Sequence, residues 1–162
     1  MIKRENQKVA ILDRSKELIR NQKYFQAEEL LKSLPVSKIS DSKILELLGI
    51  SALYQNKFDQ ARQYLSDAQA LQPQSAEIYY YQGKLFERQG KYQESVNNYQ
   101  KAIQLKKDYF EAYFSLGNVL RKVGKKELAF NSYNIALNIN SSSPEIYLNI
   151  GVILEEEEQL QP

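Results

Sequence analysis

Residues 76–109 read AEIYYYQGKLFERQGKYQESVNNYQKAIQLKKDY, and residues 110–143 read FEAYFSLGNVLRKVGKKELAFNSYNIALNINSSS. Laid one under the other, they set Tyr79 over Tyr113, Gly83 over Gly117, Phe86 over Leu120, Ser95 over Ala129 and Tyr99 over Tyr133. The register extends both ways, for Ser15, Gly49, Gly83, Gly117 and Gly151 each stand 34 residues from the next. Self-similarity at a period of this length means stacked supersecondary units, none of which can bury its apolar face alone.

Each unit reads as two helices. Tyr79, Gly83 and Phe86 recur at helical spacing, and Ser95, Val96, Tyr99, Ala102 and Ile103 form a second apolar stripe. Gly90-Lys91 separates the two stripes, as Gly124-Lys125, Asn56-Lys57 and Asn21-Gln22-Lys23 do in the other units, and Pro73 and Pro144 mark breaks between units. Small residues let paired helices approach closely, so Gly83 is expected to face Ser95 and Gly117 to face Ala129, with nearby aromatics filling either side. The fold class is therefore all-α, a right-handed superhelical solenoid of about nine helices. One domain over 1–162 is expected, with repeats 8–41 (degenerate), 42–75, 76–109 and 110–143 and a half repeat 144–160. In the first unit Leu34-Pro35 stands where the second helix should continue, so that helix should end early and a loop should run through Val36 to Ser40.

Composition narrows the function. The 162 residues carry 22 Lys+Arg against 20 Asp+Glu, so no global field draws the chain to nucleic acid or an anionic membrane. There is no Cys and no His, which excludes zinc sites of the usual ligand types, thiol nucleophiles, disulfides and the commonest general base. No glycine-rich phosphate loop is present, and Glu155 to Glu158 read as a solvated helix end rather than a cation site. Glu28-Glu29 and Lys106-Lys107 likewise read as outer-face charges. With no leader-like or long apolar segment, a cytoplasmic, cofactor-free and non-enzymatic protein is expected.

Leu45, Leu48, Gly49, Ala61, Leu65, Ala68 and Pro73 in the second unit, and Tyr113, Leu116, Gly117, Ala129, Tyr133 and Ala136 in the fourth, resemble the signature of the tetratricopeptide repeat family. The resemblance covers roughly residues 8 to 160, with Ser15, Ser95 and Lys107 as departures. It implies a concave groove, lined by the face of each first helix that its own hairpin does not use, for an extended or helical peptide. The peptide-groove candidates are Leu47, Ile50, Tyr54, Tyr80, Tyr81, Lys84, Arg88, Phe114, Asn118, Arg121, Lys122 and Asn149. An aromatic floor at Tyr80, Tyr81 and Phe114 beside Lys84, Arg88, Arg121 and Lys122 suits a protein segment presenting apolar and acidic residues. The carboxylate clamp of chaperone-binding members is absent, since its positions hold Leu12, Lys16, Leu47, Glu77 and Tyr81 in one frame and equally unsuitable residues in the next two. Of the asparagine ladder of sugar-transferase relatives only Asn149 is present.

The last helix breaks the expected polar finish. Ile146, Tyr147, Leu148, Ile150, Val152, Ile153 and Leu154 make it apolar almost all round. Either the natural protein continues past Pro162, with Leu160 opening a further helix, or this helix pairs with a second copy, with Ile146, Ile150, Ile153 and Leu154 as self-association candidates. The leading expectation is a protein interaction module or scaffold. The alternative is the recruiting arm of a larger glycosyl- or sulfotransferase-type enzyme.

Overall fold

The computed structural model describes residues 2–35 and 41–158; the Val36–Ser40 loop and Leu160 lie outside the described residues. Among the described residues there are nine helices and no strand. They are α1 (Ile2–Arg20), α2 (Tyr24–Lys32), α3 (Ser42–Tyr54), α4 (Phe58–Leu71), α5 (Ala76–Arg88), α6 (Tyr92–Leu105), α7 (Phe110–Lys122), α8 (Lys126–Ile139) and α9 (Pro144–Glu158). The chain packs as two compact units, one up to Tyr81 and one from Gln82.

The turn inside each hairpin is the same device used four times. Gln22, Asn56, Gly90 and Gly124, again 34 residues apart, take φ of 57°, 61°, 72° and 77°. Around Gly124, Lys125 N–H donates to the Leu120 carbonyl at 2.9 Å and Gly124 N–H to the Arg121 carbonyl at 3.0 Å, and the corresponding pair recurs at the other three turns. This pair of hydrogen bonds closes the last turn of a helix around one left-handed residue. Glycine meets that requirement freely, Asn tolerates it, and Gln22 carries a steric cost.

In the N-terminal unit, α1 begins six residues before the first repeat boundary, and α2 stops at Lys32 where Leu34-Pro35 forbids a further turn. Asp41 starts α3 by accepting the Lys43 and Ile44 N–H groups at 2.9 and 3.3 Å, and it binds Lys8 of α1 at 2.7 Å. The core gathers Leu31, Leu34, Ile44, Leu47, Leu48 and Ile50. Glu28 corrects the expected outer-face charge, being 1% exposed. Its carboxylate receives Lys32, Lys57 at 2.8 Å and the Gln55 amide at 2.7 Å. Burial pushes this carboxyl up, but the three hydrogen bonds outweigh it and hold it at about 2.

In the C-terminal unit the largest buried side chains include Tyr99, Tyr133, Leu85, Ile146 and Ile153. At the hairpin contact the atoms nearest each glycine belong to one of the aromatics expected beside the small residues. A Cβ on Gly83 would stand 2.6 Å from the Tyr99 ring, and one on Gly117 would stand 2.5 Å from the Tyr133 ring. Each glycine is a notch for the large residue sixteen positions on. Leu65 occupies the same place against Gly49, at 2.7 Å from the would-be Cβ. In the first unit, where the notch residue is Ser15, the register supplies the smaller Leu31.

Candidate peptide-binding face

In the N-terminal unit most of the candidate groove residues are core. Leu47 and Ile50 are 4% and 3% exposed and sit in the Leu31–Leu48 cluster, against which Ile11, Leu12, Ile19, Tyr54 and Tyr81 also pack. They are withdrawn as ligand contacts, because α3 is enclosed by apolar side chains on its inner face as well as its outer one. Tyr54 is half-buried and stacks on Tyr24 with centroids 4.6 Å apart. Tyr80 and Tyr81 are half-buried and meet edge to face at 5.1 Å. Glu46 on the same face is buried and accepts Lys43 at 2.6 Å. Burial pushes its carboxyl up, and Glu77 adds to that, while Lys43 and Lys16 pull the other way.

The C-terminal unit keeps its candidates in reach of solvent. Lys84, Phe114, Asn118, Arg121 and Asn149 are half-buried, and Arg88 and Lys122 are exposed. Phe114 stacks on Phe110 with centroids 6.3 Å apart and tilts against Tyr133 at 6.2 Å. Asn118 is a junction, for its Oδ1 accepts the Tyr133 hydroxyl at 2.7 Å and the Asn149 amide at 3.2 Å. With its carbonyl occupied twice, the hydrogen-bonding capacity left to Asn118 is that of its amide N–H groups. Glu87 is a second junction, accepting the Tyr99 hydroxyl at 2.8 Å and Lys122 at 3.1 Å, with Lys84 at 3.9 Å.

Arg121 lies beside the Tyr133 hydroxyl. Burial pushes the Tyr133 hydroxyl up, and the Arg121 guanidinium partly opposes the shift. The Arg121 Nε is buried without a hydrogen-bond partner, and among the described residues no carboxylate pairs with this guanidinium. Glu87 and the two tyrosine hydroxyls were not among the sequence candidates. Their signal was present nonetheless: Tyr rather than Phe at one core position in two successive repeats brings a hydroxyl that needs a polar partner when buried.

The self-association candidates divide. Ile146 and Ile153 are 0% and 1% exposed, so both are withdrawn, whereas Ile150 is half-buried and Leu154 exposed. Tyr147 and Leu148, which were passed over, are exposed. Among the described residues no acidic group is arranged to hold a metal ion, and no helix is long and apolar enough to cross a membrane. The side chains of Glu156 to Glu158 lie outside the described residues.

Comparison with known proteins follows the same architecture. The TPR repeat profile matches residues 83–124 and 117–157. A crystal structure of MamA superposes with a TM-score of 0.76 at 23% identity, over 89% of this chain and 84% of that one. PilF of Pseudomonas aeruginosa gives 0.86 at 18% identity, over 96% of this chain and 71% of that one. The TPR domain of Arabidopsis OM64 gives 0.69 at 16% identity, over 73% of this chain and 98% of that one. At these identities the likeness is one of fold. No curated protein matches.

Proposed function

We propose that this chain, which belongs to the tetratricopeptide repeat family, is a non-catalytic interaction module whose C-terminal unit binds an acidic protein segment. The observation that carries this reading is Arg121, a half-buried guanidinium with no carboxylate partner among the described residues, on the same helix as Asn118, whose donors are left over. A partner's Asp, Glu or terminal carboxylate would take the guanidinium, and a backbone carbonyl the Asn118 amide. Phe114 offers half-buried aromatic surface for a neighbouring apolar side chain. Lys84 and Lys122 favour acidic segments further through their positive charge. Tyr80, Tyr81 and Tyr54 are proposed as flanking aromatic contacts of the N-terminal unit, and Arg88 and Asn149 as polar contacts of the C-terminal one. The repeats fit a cytoplasmic setting and need no cofactor for this role.

Display of random peptides against the wild-type chain tests the reading. Enrichment of Asp- and Glu-containing sequences is expected, with the binding of selected peptides reduced on the order of tenfold by Arg121→Ala and less by Asn118→Ala. Neutral or basic selections, or full retention by Arg121→Ala with unchanged helicity, would overturn it.

A further inference from the structure

Tyr99 and Tyr133 stand 34 residues apart, both wholly buried, and their rings fill the notches at Gly83 and Gly117. A phenylalanine ring would fill either notch as well, so what each tyrosine adds is a buried hydroxyl. The two hydroxyls meet opposite chemistry. Tyr99 donates to Glu87 at 2.8 Å, a carboxylate that also takes Lys122 at 3.1 Å. The residue 34 positions after Glu87 is Arg121, and the Tyr133 hydroxyl has the Arg121 guanidinium as a hydrogen-bonding neighbour. A guanidinium only donates, so the Tyr133 oxygen accepts from it and the hydroxyl proton goes to Asn118 Oδ1, 2.7 Å away. The Asn149 amide donates to the same Oδ1 at 3.2 Å.

Every bond in this network runs toward one acceptor, so the groups it leaves unspent are donors, namely the Asn118 amide N–H groups and the Arg121 Nε. One repeat earlier the polarity is reversed and the positive charge is consumed, since Glu87 draws in Lys122 and, at 3.9 Å, Lys84. We propose that Tyr133 is a positioning residue of the acidic-segment site, its hydroxyl holding Asn118 and Arg121 as donors so that the site takes a carboxylate in preference to the isosteric carboxamide. The proposal rests on the reading of that site given above and adds what sets its selectivity. A carboxamide that offers its oxygen to one of these donors turns its own amino group toward the other, donor against donor. Without the Tyr133 hydroxyl the Asn118 side chain keeps only the Asn149 bond. It can then turn over, present its oxygen and accept the carboxamide.

Calorimetry with peptides selected on the wild-type chain tests this, each peptide being paired with a counterpart whose Asp and Glu are replaced by Asn and Gln. Tyr133→Phe keeps the ring in its notch and should bind the acidic peptides about fivefold more weakly, with the amide counterparts within about twofold of wild type. Tyr99→Phe deletes the matching hydroxyl one repeat earlier and should leave both affinities within about twofold of wild type. An equal loss for both kinds of peptide in Tyr133→Phe would make the hydroxyl merely structural and overturns the proposal, as does wild-type affinity for the acidic peptides. In the latter case the acidic-segment reading still stands if Arg121→Ala weakens binding about tenfold, whereas full retention by Arg121→Ala sinks both. The free chain provides a second readout that needs no peptide. The side-chain amide resonances of Asn118, identified by their loss in Asn118→Ala, should shift in Tyr133→Phe and stay in place in Tyr99→Phe. Unshifted resonances in Tyr133→Phe overturn the positioning role.

Discussion

The helices α3 and α7 occupy equivalent places two repeats apart, yet their inner faces are used in opposite ways. On α3 that face holds Glu46, Leu47 and Ile50, all buried, whereas on α7 the matching positions hold Phe114, Ser115 and Asn118, of which Phe114 and Asn118 remain half open. The N-terminal unit spends its inner face on its own core, beneath side chains such as Ile11, Leu12 and Ile19. The C-terminal unit fills the space between paired helices with Tyr99 and Tyr133 and sends their hydroxyls to Glu87 and Asn118. An inner face stays half open only where the hairpins have found their apolar partners elsewhere.

Four perturbations break or sharpen that contrast. The largest concerns the buried ion cluster of the N-terminal unit. Because Glu28 is held at about 2 against an ordinary value of 4.5, its stabilisation is complete above pH 4.5 and disappears as pH falls toward 2. About 3 kcal/mol is at stake, and Glu28→Gln should remove most of the acid dependence in chemical denaturation followed between pH 6 and pH 2. An unchanged pH profile in the variant would show that the cluster does not hold that unit together.

Next come the glycines of the C-terminal unit, which should split by environment. Gly117→Ala sets a methyl group against the Tyr133 ring and should destabilise by about 1 to 2 kcal/mol after its gain in helix propensity is counted. Gly151→Ala meets nothing among the described residues and should stabilise the chain by up to about 1 kcal/mol. Thermal melts of the two variants at low concentration compare them directly, and equal effects would contradict the notch.

The hairpin turns provide a smaller, symmetric pair. Gln22→Gly relieves a left-handed backbone and should stabilise by roughly 0.5 to 1 kcal/mol, while Gly124→Ala imposes one and should cost a similar amount. Urea midpoints at constant m would report both. The last test is the inner face of α3. Since burial raises Glu46 above its usual value, its contribution is favourable below the unfolded value of 4.5 and is lost as pH rises through the folded one. Glu46→Gln should therefore stabilise at pH 7 and lose that advantage near pH 4, measured by the same denaturation series.

Much of the architecture was legible because it depends on local, periodic constraints. The 34-residue register located the four hairpin turns, and the Leu34-Pro35 pair foretold the short α2. What the register could not reveal is which residue a small side chain faces. Gly83 and Ser95 are both small and recur together, but the atoms nearest the glycine belong to the Tyr99 ring. Glu28 was misread for a similar reason, since it stands beside the exposed Glu29 in the sequence while Gln55 and Lys57 reach it from the next hairpin. Ile146 and Ile153 were taken for open surface because α9 is apolar on nearly every side, and only packing distinguished the covered face from the bare one.

By itself, the sequence determined the helices, their turns and their order, because backbone preference and side-chain period act within a few residues and repeat without slipping. The tertiary structure alone decided which inner face is closed and which is half open, where the buried carboxylates lie, and which large side chain fills the notch at Gly49, Gly83 and Gly117. Those outcomes depend on side chains brought together from distant parts of the chain, where a single ring or methyl group determines whether space is filled.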